Sequence, residues 1–286
     1  NKDYSITNLT ISTKTLKIKD LISFTKLFKN DAKIYIAEKL IKKSEKIIIK
    51  QHINTVKVKY KKDSSPVTKI DQLIEKNFRK EIKLKFPSHG VYGEEYKNSK
   101  LNNDFIWVID PIDGTKNFIH GNLSFGTMIS LLYKGAPLFG IINSPLLKKT
   151  WKGIKNKGAY LNNKKIKKNS SNLSLKDMVI SHSGMSAFKQ LPENKLYNKL
   201  SKIIRYFILG GDCVQYGLLA EGKIPMVVEC DLKPYDFMPL INLIEESGGI
   251  ITDWKGKHLS LKSNDKVVAS MSKKAHQEFI KISKTI

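Results

Sequence analysis

Trp107-Val108-Ile109-Asp110-Pro111-Ile112-Asp113-Gly114-Thr115 runs from an apolar segment into a polar turn. The segment that begins near Phe105 has the β-branched and aromatic content of a buried strand. Pro111 has no amide hydrogen for a sheet ladder and Gly114 reaches backbone angles closed to other residues, so the strand is expected to stop here. The turn then projects Asp110 and Asp113 from a strand end. Hard divalent cations such as Mg²⁺ take carboxylate and carbonyl oxygens and keep several waters, and this turn supplies both kinds of oxygen. Taken alone, it also reads as an Asx-rich turn in which both aspartates bond their own backbone.

Working outward, Gly93-Glu94-Glu95 follows the apolar pair Val91-Tyr92 and sets adjacent carboxylates just past a second strand. Such pairs are commonly solvated surface. Farther upstream, Thr68 and Asp71 in Ser65-Pro66-Val67-Thr68-Lys69-Ile70-Asp71 have the spacing of a capping box, with Glu75 one turn later. Downstream, Glu229, Asp231 and Asp236 fall within Val227 to Asp236, where Asp236 can serve as N-cap of a helix starting at Phe237.

The rest of the chain predicts a mixed fold. Residues 1–18 read as a polar tail. Leu21, Phe24, Phe28, Tyr35, Ile36 and Leu40 recur at helical spacing, and the helix is expected to run to about Ile49. After a break at Ser64-Ser65-Pro66, a second helix carries Ile70, Leu73, Ile74, Phe78 and Ile82 and ends before Pro87. Strands are predicted over Leu123 to Tyr133 and Leu138 to Ile142, with a hairpin around Trp151 to Leu161. Beyond a Lys, Asn and Ser-rich stretch at 162 to 174, strands at Ile203 to Leu209, Met226 to Cys230 and Lys266 to Ser270 alternate with helices. Those helices are Cys213 to Glu221, Phe237 to Ser247 and one from about Lys273. This gives an α+β half over 19–170 and an α/β half over 171–286.

The chain of 286 residues is 41% hydrophobic, which suits a globular core, and no apolar run reaches the ~20 residues of a membrane span. A soluble, cytoplasmic protein is expected. Cys213 and Cys230 form neither a metal motif nor a disulfide framework. The net charge of +25 raises the prospect of nucleic-acid binding. Arg79 and Arg205 are the only arginines, however, and base and phosphate recognition favours arginine's planar fork. Lysine clusters such as Lys57 to Lys62 and Lys164 to Lys168 read as solvated faces able to steer an anionic substrate. No specific nucleic-acid partner and no membrane partner is expected.

In this order, Val-Thr-x-x-Asp at Val67 to Asp71, Gly93-Glu94-Glu95, Asp110-Pro111-Ile112-Asp113-Gly114-Thr115 with Asn117-Phe118, Tyr235-Asp236, and Glu245-x-x-Gly248-Gly249 resemble the inositol monophosphatase superfamily of Mg²⁺-dependent phosphatases. The resemblance covers about residues 20 to 282. It implies a layered α/β/α/β/α sandwich, a homodimer, and a small phosphorylated substrate. Gly210-Gly211-Asp212-Cys213-x-x-Tyr216-Gly217-Leu218-Leu219-Ala220 and Leu232 to Phe237 are similar to the histidinol-phosphate phosphatase branch, whereas Ser181 to Phe188 matches that branch poorly.

The resemblance also implies site roles. Glu94, Asp110 and the Ile112 carbonyl would hold one Mg²⁺, and Asp110, Asp113 and Asp236 a second, with Asp71 acting through a hydrogen bond or a weaker third ion. Glu94 and Thr115 would orient the attacking water, supported by Asp71. The Gly114 and Thr115 amides would bind phosphate oxygens, as turn nests do, beside Ile112, Asp113 and Asp236. Asp212 and Glu229 would accept the cationic groups of a histidinol leaving group, though Asp212 also suits the N-cap of the helix that follows. The expected activity is histidinol-phosphate hydrolysis. Inositol monophosphatase and adenosine bisphosphate phosphatase activities share the same metal core and stand as alternatives, as does a basic nucleic-acid-binding protein that merely keeps the fold.

Overall fold

The computed structural model describes residues 18–52, 58–61 and 66–286. Apart from Ile18, the expected tail lies outside these residues, as do the side chains of Leu21, Phe24 and Phe28, residues Lys57 and Lys62 of the first lysine cluster, and Ser64 and Ser65 of the predicted break. The described residues divide into two compact units, one ending at Ala37 and the other running from Glu38 to Ile286.

The first helix, α1, spans Ile18–His52 and continues past the predicted Ile49. Strands β1 (Val58–Tyr60) and β2 (Pro66–Thr68) pair as an antiparallel ribbon leading into α2 (Lys69–Lys85). Thr68 caps α2 with the full capping box, its hydroxyl accepting from the Ile70 and Asp71 amides while Asp71 accepts from the Thr68 amide. Ile70, Ile74, Phe78 and Ile82 are buried as their spacing requires, but Leu73 is exposed and the polar Asp71 and Glu75 are buried in its stead.

A seven-stranded sheet follows: β3 (Gly90–Gly93), β4 (Phe105–Asp113), then, after the short helix α3 (Thr115–Ile119), β5 (Gly126–Tyr133), β6 (Ala136–Ser144), β7 (Lys149–Ile154), β8 (Gly158–Leu161) and β9 (Lys164–Lys165). Only β3 and β4 are parallel; the others form an antiparallel meander. The β5–β6 hairpin turns at Lys134 and Gly135, both at positive φ, as a two-residue turn matched to strand twist requires. The lysine run at 164 forms the exposed edge strand β9, where charge discourages pairing with another chain.

The second sheet has the order β11-β10-β12-β14-β13 and comprises β10 (Val179–His182), β11 (Tyr206–Leu209), β12 (Met226–Glu229), β13 (Ile250–Thr252) and β14 (Val267–Ser270). Between and around these strands lie α4 (Glu193–Ser201), α5 (Asp212–Ala220), α6 (Pro234–Phe237), α7 (Ile241–Ser247) and α8 (Lys273–Ser283). Helices α5 and α7 pack between the two sheets, and α4 and α8 cover the outer face of the second. The result is the expected layered α/β arrangement.

Strand parity explains the layers. Ile106 and Val108 of β4, with Met128 and Leu132 of β5, join Tyr216 and Leu219 of α5 and Leu243 and Ile244 of α7 in the central core. A second core beneath α4 and α8 contains Ile180, Met226, Val228, Leu196 and Phe279.

The single helix expected over Phe237 to Ser247 is instead α6, a 3₁₀ turn at Met238–Leu240, and α7. Pro239 withholds the amide that an uninterrupted helix would need there. Its carbonyl lies against Gly140 of β6, where an added Cβ would sit 1.8 Å from the Pro239 oxygen. Gly140→Ala is therefore expected to cost about 1–3 kcal/mol through overpacking, read as a fall of several degrees in the thermal unfolding midpoint. An unchanged midpoint would show that the 3₁₀ turn moves freely.

Candidate active site

The predicted stop at Pro111 does not occur, and the correction explains the site. Strand β4 continues to Asp113: Asp110 pairs with Met128 and Asp113 with Gly126, so Pro111 and Ile112 both stand opposite Thr127. This is a β-bulge, two residues facing one. The Pro111 carbonyl accepts the Thr127 hydroxyl at 2.8 Å, and the missing proline amide falls where the ladder is already interrupted. Residues three apart on a regular strand point to opposite faces. The inserted residue restores the phase, and Asp110 and Asp113 face the same side.

Asp236, from α6, completes the group. Asp110, Asp113 and Asp236 each bring a carboxylate oxygen within 4.8 Å of the other two. Asp236 is not an N-cap: it is the third residue of α6, and its Oδ2 accepts from the Lys233 amide at 2.6 Å. Asp110 Oδ1 is buried with no hydrogen-bond partner. Burial, with Glu94, Asp113 and Asp236 nearby, holds the Asp110 carboxyl well above the usual carboxylate range. Asp113 is raised by burial and by Asp212 and Asp236. Asp236 is pushed up to about 8, mainly by burial, with the Lys233 amide pulling the other way. An orphaned, buried oxygen among like charges requires a proton or a cation, and an all-oxygen donor set suits Mg²⁺.

Glu94 stands outside this trio but beside it. Lys61 bonds Glu94 at 2.8 Å and Glu95 at 2.7 Å. The Glu94 carboxyl is raised by burial, a shift that Lys61 partly reverses. The loop carrying Glu94 is held from α2: Glu75 accepts from the Glu95 amide at 2.7 Å and from Arg79 Nε at 2.7 Å, while Arg79 Nη2 donates to the Tyr96 carbonyl at 3.0 Å. Only the spacing of Glu75 one turn after Asp71 signals this in the sequence. The Lys61 contact has no sequence signal.

Asp71 caps its helix and also reaches the site. Thr115 Oγ1 lies 2.9 Å from the Ile112 carbonyl and 3.3 Å from Asp71 Oδ1, and its single proton serves one of them at a time. Gly114, at φ 82°, lies beneath Asp212; a Cβ there would stand 2.5 Å from Asp212 Oδ2 as well as straining the backbone. The N-cap of α5 is Gly211, and the Asp212 carboxylate does not cap the helix. It accepts from Asn117 Nδ2 at 2.7 Å and lines the same cavity as Glu94.

That cavity, about 460 Å³, is lined by Glu94, Asp113, Thr115, Asp212, Glu229 and Asp236 among others. Burial lifts Glu229 to about 7 against the pull of Ser183. Ser183 and Gln215 have no residue-type signal that marks them as site residues, whereas Tyr216 falls in the Gly210 to Ala220 motif. Tyr216 lines the cavity, and its buried hydroxyl stands beside Glu229.

These features place the chain in a class of fold already seen in solved structures. An inositol monophosphatase from Zymomonas mobilis superposes with a TM-score of 0.79 at 33% identity, over 89% of this chain and 98% of that one. The chain belongs to the inositol monophosphatase family, whose sequence profile matches residues 29–286, and it is a phosphatase of that family. Among curated relatives, the chloroplastic bifunctional phosphatase IMPL2 of Arabidopsis thaliana is 40% identical over 212 residues, 73% of this chain and 61% of the relative's length. A histidinol-phosphatase of Chlorobaculum parvum is 33% identical over 198 residues, 69% of this chain and 76% of that protein. Among the described residues, no helix is long and apolar enough to cross a membrane.

Proposed function

We propose that this chain hydrolyses histidinol phosphate to histidinol and inorganic phosphate. The observation that carries the substrate is the pair Asp212 and Glu229, two carboxylates in the cavity outside the acidic trio. A cationic amine and imidazole need such acceptors; a neutral polyol does not. The relative named histidinol-phosphatase supports this choice.

Asp110, Asp113, Asp236, Glu94 and the Ile112 carbonyl would hold divalent ions, two or three Mg²⁺ in this reading. Bound, such ions supply positive charge for the phosphoryl oxygens and lower the pKa of water. The chain's own groups do the rest. Thr115 Oγ1 and Glu94 orient the attacking water, and Asp71 fixes the Thr115 hydroxyl that its Oδ1 already faces. The Gly114 and Thr115 amides, at the start of α3, offer donors to the phosphate. Asp212 and Glu229 hold the leaving alcohol, so the scissile bond lies between recognition and chemistry.

Purified protein assayed with histidinol phosphate, inositol 1-phosphate and adenosine bisphosphate tests the reading directly. Histidinol phosphate should have the highest kcat/KM; faster turnover of inositol phosphate, the activity in the Zymomonas protein's name, would replace it. Asp212→Asn removes the charge but keeps the shape. It should raise KM for histidinol phosphate about 10- to 100-fold, the loss of one charge-assisted contact of about 1.4–2.8 kcal/mol, and change an aryl phosphate far less. Equal effects on both substrates would assign Asp212 to structure.

A further inference from the structure

We propose that a buried relay, Ser181–Gln215–Ser183, fixes the distance between Asp212 and Glu229 and so selects substrates whose leaving alcohol carries a cation. This rests on the substrate reading above.

Three elements meet at the relay. Strands β10 and β12 run parallel, with Ser183 just beyond the end of β10 and Glu229 at the end of β12, while α5 starts at Asp212 and brings in Gln215 one turn later. Ser181 and Gln215 are fully buried. The Ser181 hydroxyl donates to Gln215 Oε1 at 2.7 Å, and Gln215 Nε2 donates to Ser183 Oγ at 2.9 Å. The Ser183 hydroxyl then donates to Glu229 Oε1, which the Ser183 amide also reaches at 3.1 Å. The Asp212 amide donates to the same Ser183 Oγ at 3.2 Å.

A serine hydroxyl has one proton and two lone pairs. Here the proton faces Glu229, with the Asp212 carboxyl as a second neighbour, and the lone pairs receive the Gln215 side-chain and Asp212 backbone N–H groups. The relay runs toward an acceptor, the Oε1 of Glu229. Two donors from Ser183 fix Oε1 of Glu229, and Tyr216 and Gln215 flank the same carboxyl. One hydroxyl thus sets both the rotation of the Glu229 carboxylate and the backbone that presents Asp212. Asp212 itself sits at φ 39°, a conformation uncommon outside glycine and one that needs surrounding contacts to hold it. Gly210 is part of the same arrangement, because a Cβ there would lie 2.2 Å from Gln215 Oε1 and 2.3 Å from Ser181 Oγ. Two carboxylates held at a set spacing receive a cation without reorganising. Gln215 is buried away from any ligand and is a positioning residue.

The test is kinetic. Ser183→Ala and Gln215→Met should each raise KM for histidinol phosphate about 10-fold, equivalent to about 1.4 kcal/mol, with a rise for aryl phosphate at least fivefold smaller. The double variant should exceed Ser183→Ala by less than about twofold, since both changes break one relay. Ser183→Thr, which keeps the hydroxyl, should restore KM to near the parent value. Equal KM rises for both substrates, or additive single effects, would overturn the proposal and leave these residues as packing. If Asp212→Asn discriminates between the substrates and Ser183→Ala does not, the relay fails alone. If neither discriminates, the cationic-substrate reading fails with it.

Discussion

Asp110→Asn should lower phosphate release by at least about 10³-fold, roughly 4 kcal/mol of transition-state stabilisation, while leaving the fold intact. Asp110 is buried, its Oδ1 has no partner, and Asp113 and Asp236 place oxygens within 4.8 Å of its carboxylate. Glu94, Asp113 and Asp236 all add their charge to the effect of burial on its carboxyl. Asparagine matches the shape and removes the charge. In the absence of divalent ions the variant should be no less stable than the parent at pH 8, because an uncompensated buried carboxylate has been exchanged for a neutral amide. Circular dichroism and thermal unfolding check the fold, and phosphate release at saturating Mg²⁺ checks the chemistry. Near-parental activity would remove Asp110 from the metal site. Loss of activity together with loss of structure would assign it to folding instead.

The sequence carries the polar motifs and the layering but not the geometry that joins them. Ile106 and Val108 read as a strand, and the hydrophobic periodicity of α2 and α8 reads as helix, because burial on one face leaves a periodic mark. The bulge at Pro111 leaves no such mark. Whether a proline ends a strand or sits in an irregularity depends on what lies opposite, and Thr127 is a distant residue of ordinary type. Strand β13 and helix α4 leave little periodic mark for a related reason: the first is three residues long, and the second buries only Leu196 and Leu200. Asp71 shows one residue serving two readings at once, since its Oδ2 completes the capping box while Oδ1 faces Thr115. Ser183 and Gln215 are common, neutral residues whose significance lies wholly in what they touch.

In the metal-free protein, stability should fall as pH rises from about 5 to 8.5, and added Mg²⁺ should raise the unfolding midpoint more at the alkaline end. Asp236 has a carboxyl raised to about 8 in the folded state against an ordinary value of 3.8. A raised carboxyl favours folding while both states are protonated, and that contribution is lost as pH climbs through the interval between the two values. The slope approaches about 1.4 kcal/mol per pH unit for one such group. Asp110 and Asp113 act in the same direction, and Glu229, at about 7, adds to it. A divalent cation competes with those protons. At pH 5.5 the ion must displace them, whereas at pH 8 the carboxylates that repel one another are ready to receive it. With Mg²⁺ at about a hundred times its dissociation constant, the linkage gain is about 2.7 kcal/mol, or roughly 5–10 °C for a domain of this size. Scanning fluorimetry of chelator-treated protein with and without Mg²⁺ at the two pH values measures both effects. An Mg²⁺ shift of equal size at pH 5.5 and 8 would mean that the ion binds away from the trio, and Asp236→Asn should reduce the alkaline shift if it binds there.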